Sequence, residues 1–139
     1  MFEKAPSSKP DELKLDLFEI KSKFYYMLGF IVHSNPSITN YRDKAEKHYK
    51  KAIELYWFNF SAHFGLGQIF TLNYKIQRYS KYLEWASRHF EVIVKYKSEV
   101  ECCDCYKIMG YIYTHMGNKM KAIEYFEKGI KYHPFDIEF

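Results

Sequence analysis

Three segments of the chain carry the same glycine in the same setting: YYMLGFIV (25–32), HFGLGQIF (63–70) and YKIMGYIY (106–113). Each reads large–x–x–large–Gly–x–x–large. Downstream of each comes Ala-x-x-x-aromatic, as Ala45…Tyr49, Ala86…Phe90 and Ala122…Phe126. Glycine inside a helix costs about 1 kcal/mol against alanine, so its return in every copy demands a packing reason. A motif that recurs along a chain predicts a stack of similar supersecondary units. The unit is a pair of helices, in which Gly29, Gly67 and Gly110 are expected to let the second helix approach closely through Ala45, Ala86 and Ala122.

The third copy is the most regular. In YKIMGYIYTHMGNKMKAIEYFEKGIKYHP, Gly110 to Ala122 is 12 residues and Ala122 to Pro134 is 12 more. This resembles the tetratricopeptide (TPR) pattern W-x-x-L-G-x-x-Y…A-x-x-x-F…P, with Tyr106 in place of the Trp and Met109 in place of the Leu. Gly117 can end the first helix in a left-handed conformation, and Asn118 can cap the second. The earlier copies are stretched, to 16 residues between Gly29 and Ala45 and 19 between Gly67 and Ala86. The extra residues fall between paired helices. Asn35-Pro36 stops the first helix, whereas the 73–85 insertion has no breaker and can lengthen a helix. Helices are expected near 11–34, 41–56, 60–72, 78–97, 99–116 and 119–132.

The resemblance implies an all-α fold: TPR helix–turn–helix repeats stacked in a right-handed superhelical solenoid, about three repeats long. They would occupy about 22–59, 60–102 and 103–136 within a TPR domain at 11–139, after a disordered tail at 1–10. The ending HPFDIEF carries Phe135, Ile137 and Phe139 with no polar capping helix, which solenoids need for solubility. The expectation is a fragment of a longer array, or a homodimer formed through the uncapped end.

Gly65 has no counterpart in the other copies, where Met27 and Ile108 stand. A Gly-x-Gly can cradle phosphate, but only after a strand and at a helix start, and neither is present at residues 65–67. Phe64-Gly65-Leu66-Gly67-Gln68 instead resembles a signature in the large TPR scaffold subunit of the polymerase-associated factor (PAF) complex, which accompanies RNA polymerase II during elongation. NYRDKAEKHYKKAIELYWFNFSAHFGLGQ upstream, and ASRHFEVIVK with YKIMGYIY downstream, extend the likeness over about residues 22–118. The long 73–85 insertion and the missing Pro at the end of the second unit depart from that family. What the resemblance implies is a nuclear scaffold on which other subunits assemble, supporting transcription elongation and co-transcriptional histone modification.

The TPR resemblance also implies an inner face lined by the first helix of each unit. It would carry Tyr26, Phe30 and His33, then Phe64, Gln68 and Thr71, then Lys107, Tyr111 and Thr114. Such a face is mostly apolar and aromatic, suited to an extended or helical partner segment. It lacks the Lys/Asn/Arg arrangement by which chaperone-binding TPR domains hold a C-terminal carboxylate.

Composition narrows the alternatives. The formal charge of +4 is spread along the chain, which permits nucleic-acid binding without requiring it. Lys44, Lys47, Lys50 and Lys51 lie partly along one helical face and read first as a solvated surface. The longest apolar run, Phe24–Val32, is about half a membrane span. Cys102, Cys103 and Cys105 are too close together for a disulfide framework and read as buried helical cysteines in a reducing compartment. Zinc would need a second ligand pair, and the six histidines are scattered, so no metal or cofactor is expected. Catalytic signatures (H-E-x-x-H, G-x-S-x-G, a Walker loop) are lacking, and Glu99, Glu101 and Asp104 suit a helix start. The chain therefore reads as non-catalytic. The alternatives are a TPR adaptor in organelle import or co-chaperone work, and, more remotely, a basic helical repeat that binds nucleic acid.

Overall fold

The computed structural model describes residues 12–98 and 101–132, with residues 12–16 and 103 given by their backbone. It contains six helices: α1 (Glu12–His33), α2 (Tyr41–Leu55), α3 (Phe60–Gln77), α4 (Ser80–Tyr96), α5 (Cys103–His115) and α6 (Lys119–Tyr132). No strand occurs among the described residues. This is an all-α architecture consistent with a helical repeat of the TPR type. The expected tail at 1–10, the first residue of the helix expected near 11–34 and the apolar ending at 135–139 lie outside the described residues.

Two compact units divide at Leu66 and Gly67, inside α3. In the first, α1 and α2 pack along their length. The Tyr49 ring of α2 fills the seam: a Cβ at Gly29 would lie 2.7 Å from it, and one at Gly65 would lie 2.6 Å away. A polar chain ties the three elements of this unit together. The Asn59 amide donates to Ser22 Oγ (2.8 Å), and the Ser22 hydroxyl donates to the Ala52 carbonyl (2.6 Å). Asn59 Oδ1 also accepts from the Ala62 amide (3.0 Å), capping the start of α3. Ser22 is fully buried, so this pairing offsets the cost of taking a hydroxyl out of water.

In the second unit the same joint is built twice. A Cβ at Gly67 would lie 2.6 Å from the Phe90 ring of α4, and one at Gly110 would lie 2.5 Å from the Phe126 ring of α6. Phe70 of α3 is enclosed by Tyr82, Trp85 and His89 of α4, with centroid separations of 6.2, 5.5 and 5.8 Å. Helices α4 and α5 are joined by the Tyr113 hydroxyl donating to Glu91 and by the Cys102 thiol reaching the Ile93 carbonyl. Gly117 takes φ +82°, and the Asn118 amide donates to the Tyr113 carbonyl (2.9 Å), closing a left-handed helix end. Asn118 Oδ1 then accepts from the Lys121 amide (3.2 Å) at the start of α6.

Three details depart from the sequence expectation. The ring, rather than the alanine, occupies the space beside each repeat glycine. Ala45, Ala86 and Ala122 are buried one turn earlier, while Tyr49, Phe90 and Phe126 reach across to the glycines. Helix α3 runs to Gln77 instead of 72, absorbing five residues of the insertion, and stops where Arg78 turns left-handed at φ 61°. Helix α5 starts at Cys103 rather than 99. Ser98 and Glu101 first form a reciprocal cap, the Ser98 amide donating to Glu101 Oε2 (3.0 Å) and the Glu101 amide to Ser98 Oγ (3.4 Å). The Ser98 hydroxyl donating to Glu101 Oε2 (2.8 Å), the Ser98 amide and nearby Lys97 hold the Glu101 carboxyl below the usual range. Glu99 lies outside the described residues.

Candidate partner-binding face

In the first unit, Tyr26 and His33 flank the Tyr49 ring. Tyr26 stacks on it at 5.7 Å, and His33 meets it edge-on at 5.8 Å. The Tyr49 hydroxyl and His33 Nδ1 are 3.1 Å apart in a hydrogen bond. Burial lowers the His33 pKa and raises that of Tyr49, so both groups stay neutral at physiological pH. Tyr26 and His33 are half-buried and serve the α1–α2 seam, whereas Phe30 is exposed and leans on Tyr26 at 6.0 Å. Phe64 is half-buried on α3.

In the second unit, the first helices of two consecutive pairs come side by side. Tyr74 of α3 meets His115 of α5 edge-on at 5.7 Å, and Lys75 Nζ lies 4.9 Å over the Tyr111 ring. Tyr111 and His115 are themselves 4.3 Å apart, and the Arg78 guanidinium sits 5.4 Å over Tyr74. Lys107, Gln68 and Thr114 are exposed. Thr71 is buried, and its hydroxyl donates to the Gly67 carbonyl (2.8 Å). The Thr114 hydroxyl does the same to Gly110 (2.7 Å). Both threonines thus spend their donors inside their own helices.

The structure therefore brings Tyr111 together with three residues that the sequence reading missed: Tyr74, Lys75 and His115. All three follow from the helical spacing already in use. Tyr74 and Lys75 are three and four residues past Thr71, on the stretch of α3 expected to be insertion, and His115 is four past Tyr111. This part of the face is cationic and aromatic, with Lys75 over the Tyr111 ring, Arg78 over the Tyr74 ring and Lys107 exposed one turn before Tyr111. A cation over a tyrosine face is attracted by the ring quadrupole, and such a surface favours acidic segments.

The other candidates resolve as structure. Cys102 and Cys105 are buried, and burial pushes the Cys105 thiol up to about 12, far from the thiolate that metal binding or oxidation uses. Lys50 pairs with Glu46, and Lys51 with Glu54 at 3.4 Å, so carboxylates interrupt the basic face of α2. Groups of His, Cys, Asp and Glu arranged for a metal are lacking among the described residues. No described helix is long and apolar enough to cross a membrane.

Comparison with known families agrees with the geometry of the last pair. A tetratricopeptide repeat model matches residues 104–136, which span α5 and α6. No curated protein matches the chain. Repeats of this kind are typically non-catalytic modules that bind protein partners, and no enzymatic family is indicated.

Proposed function

We propose that the chain is a non-catalytic protein-interaction scaffold that binds a partner segment on the face shared by α3 and α5 in its second unit. The observation that carries this reading is the α3–α5 cluster of Tyr74, Lys75, Tyr111 and His115, which presents rings and cations on adjacent helices. Residues Gln68, Lys107 and Thr114 extend it on the same helices, and Tyr26, Phe30, His33 and Phe64 are the counterparts in the first unit. The segment it suits is acidic with interspersed apolar residues. The finer assignment is to the scaffold subunit of the PAF complex, acting in the nucleus with RNA polymerase II. Its support is the Phe64-Gly65-Leu66-Gly67-Gln68 signature and its flanks.

Two measurements test this. Affinity purification of the tagged protein, with identification of the co-purifying chains, should recover polymerase-associated subunits; their absence removes the finer assignment and leaves the scaffold reading. The substitutions Lys75→Glu and Tyr111→Ala should then abolish capture of the recovered partners with helicity unchanged. Undiminished capture by both variants would overturn the placement of the binding face.

A further inference from the structure

Helices α1 and α6 carry matching halves of a joint that the fold builds internally. Aligning the repeats on Gly29, Gly67 and Gly110 puts Phe24, Leu28 and Ile31 of α1 opposite Ala62, Leu66 and Ile69 of α3 and Cys105, Met109 and Ile112 of α5. All six residues on α3 and α5 are buried. On α1, by contrast, Phe24 is 66 % exposed and Ile31 58 %, and Leu17, Ile20, Met27 and Leu28 prolong the stripe. The stripe lies on the side of α1 away from α2, with spacings of 3, 4, 3 and 4 residues from Leu17 to Ile31.

The complementary half is on α6. Tyr49 and Phe90, in the preceding second helices, are 1 % and 0 % exposed, but Phe126 in the same slot is 41 % exposed. One side of the Phe126 ring rests on Gly110. The position aligned with Gly65 is Ile108 on α5 and Met27 on α1, so α1 matches α5 at this point of the joint. Ile123 and Ile130 flank Phe126 and are likewise exposed.

We propose that this chain self-associates head to tail, with α6 of one copy seated on the α1 stripe of the next in the manner by which α4 meets α5, the internal joint that also carries a side chain in the Gly65 slot. The occupant is a second copy because α6 presents the Ala-x-x-x-aromatic helix that the internal joint takes. The exposed apolar area on the two stripes is also on the order of 1,000 Å². Summed over the two partners, that approaches the ~1,200 Å² total that a stable interface buries. The contact is heterologous, so each association leaves one α1 and one α6 face free. This inference uses faces other than the partner-binding one and does not rest on it.

Sedimentation equilibrium separates the outcomes. The unaltered chain should grow in mass with concentration past the dimer. Phe24→Glu with Ile31→Glu disables the α1 face, and Phe126→Ser with Ile130→Lys disables the α6 face; each variant alone should be monomeric. An equimolar mixture should form a dimer and stop there, because one working face of each kind remains. Circular dichroism establishes that both variants keep their helices, and Ile130→Lys alone serves if the Phe126 change loosens α6. A monomeric unaltered chain at high micromolar concentration overturns the proposal. So does an α6 variant that still dimerises by itself, which would mean that α1 pairs with α1.

Discussion

The Tyr49 ring fills the space that a side chain at Gly65 would need: a Cβ there would lie 2.6 Å from Cε2 and Cζ. The opposite edge of the same ring, Cδ1 and Cε1, lies 2.7 Å from the corresponding point at Gly29. One aromatic of α2 is thus seated between glycines of α1 and α3, with His33 holding its hydroxyl. Alanine at 65 gains up to about 1 kcal/mol of helix propensity, while forcing a methyl into a filled site costs roughly 1–3 kcal/mol. Gly65→Ala is therefore expected to destabilise the fold by about 1 kcal/mol or more in urea unfolding. Coupled with Tyr49→Leu, which removes the ring edge, it should cost measurably less than the sum of the single changes.

Gly129→Ala should have the opposite sign. A Cβ at 129 meets only the Tyr106 Cβ, at 3.6 Å, an ordinary contact. The position is inside α6, so the propensity gain is uncompensated, and stabilisation of roughly 0.5–1 kcal/mol is expected. Thermal unfolding of the two glycine variants side by side checks the pair. Destabilisation by Gly129→Ala would mean that α6 packs more tightly than its contacts indicate.

The glycine–alanine spacing made the helix pairs legible, because a 3.6-residue period and a breaker such as Asn35-Pro36 are local properties. What was not legible depended on distant residues. Gly65 has no reason within the repeat pattern because its reason is the Tyr49 ring on another helix. Helix α3 continues past the expected 72, and its stop at Arg78, in a left-handed conformation, is not one that sequence rules flag. Tyr74 and Lys75, which carry the cationic character of the α3–α5 face, lie on that extension. The Ser98-x-x-Glu101 cap was readable as a pattern, but nothing local indicates that regular helix starts only at Cys103. Thr71 and Thr114 were placed on the right helices, yet their bonds to Gly67 and Gly110 turn the hydroxyls inward.

Burial of Cys102 and Cys105 predicts inert thiols. With Cys105 pushed up to about 12, its thiolate fraction at pH 7 is on the order of 10⁻⁵. In a Cys103→Ser background, a water-soluble disulfide reagent should label neither cysteine over hours in the folded protein. Both should react in denaturant. Prompt labelling without denaturant would contradict the packing of α5 and revive a redox role.

His63 makes stability depend on acid. The ring is fully buried, its Nε2 lies 2.9 Å from the Trp57 carbonyl, and burial lowers its pKa to about 4. The unfolded chain protonates the same ring near 6.5. Between these values the unfolded state binds more protons, so the contribution is fully present above pH 6.5 and is lost as pH falls toward 4. A shift of that size corresponds to about 3 kcal/mol across the window, and His33, lowered for the same reason, adds in the same direction. Urea midpoints measured from pH 7 to pH 4 should fall steadily. In His63→Gln, whose amide can still reach the Trp57 carbonyl and does not titrate, most of that slope should disappear; an unchanged slope would show that other groups carry the acid sensitivity.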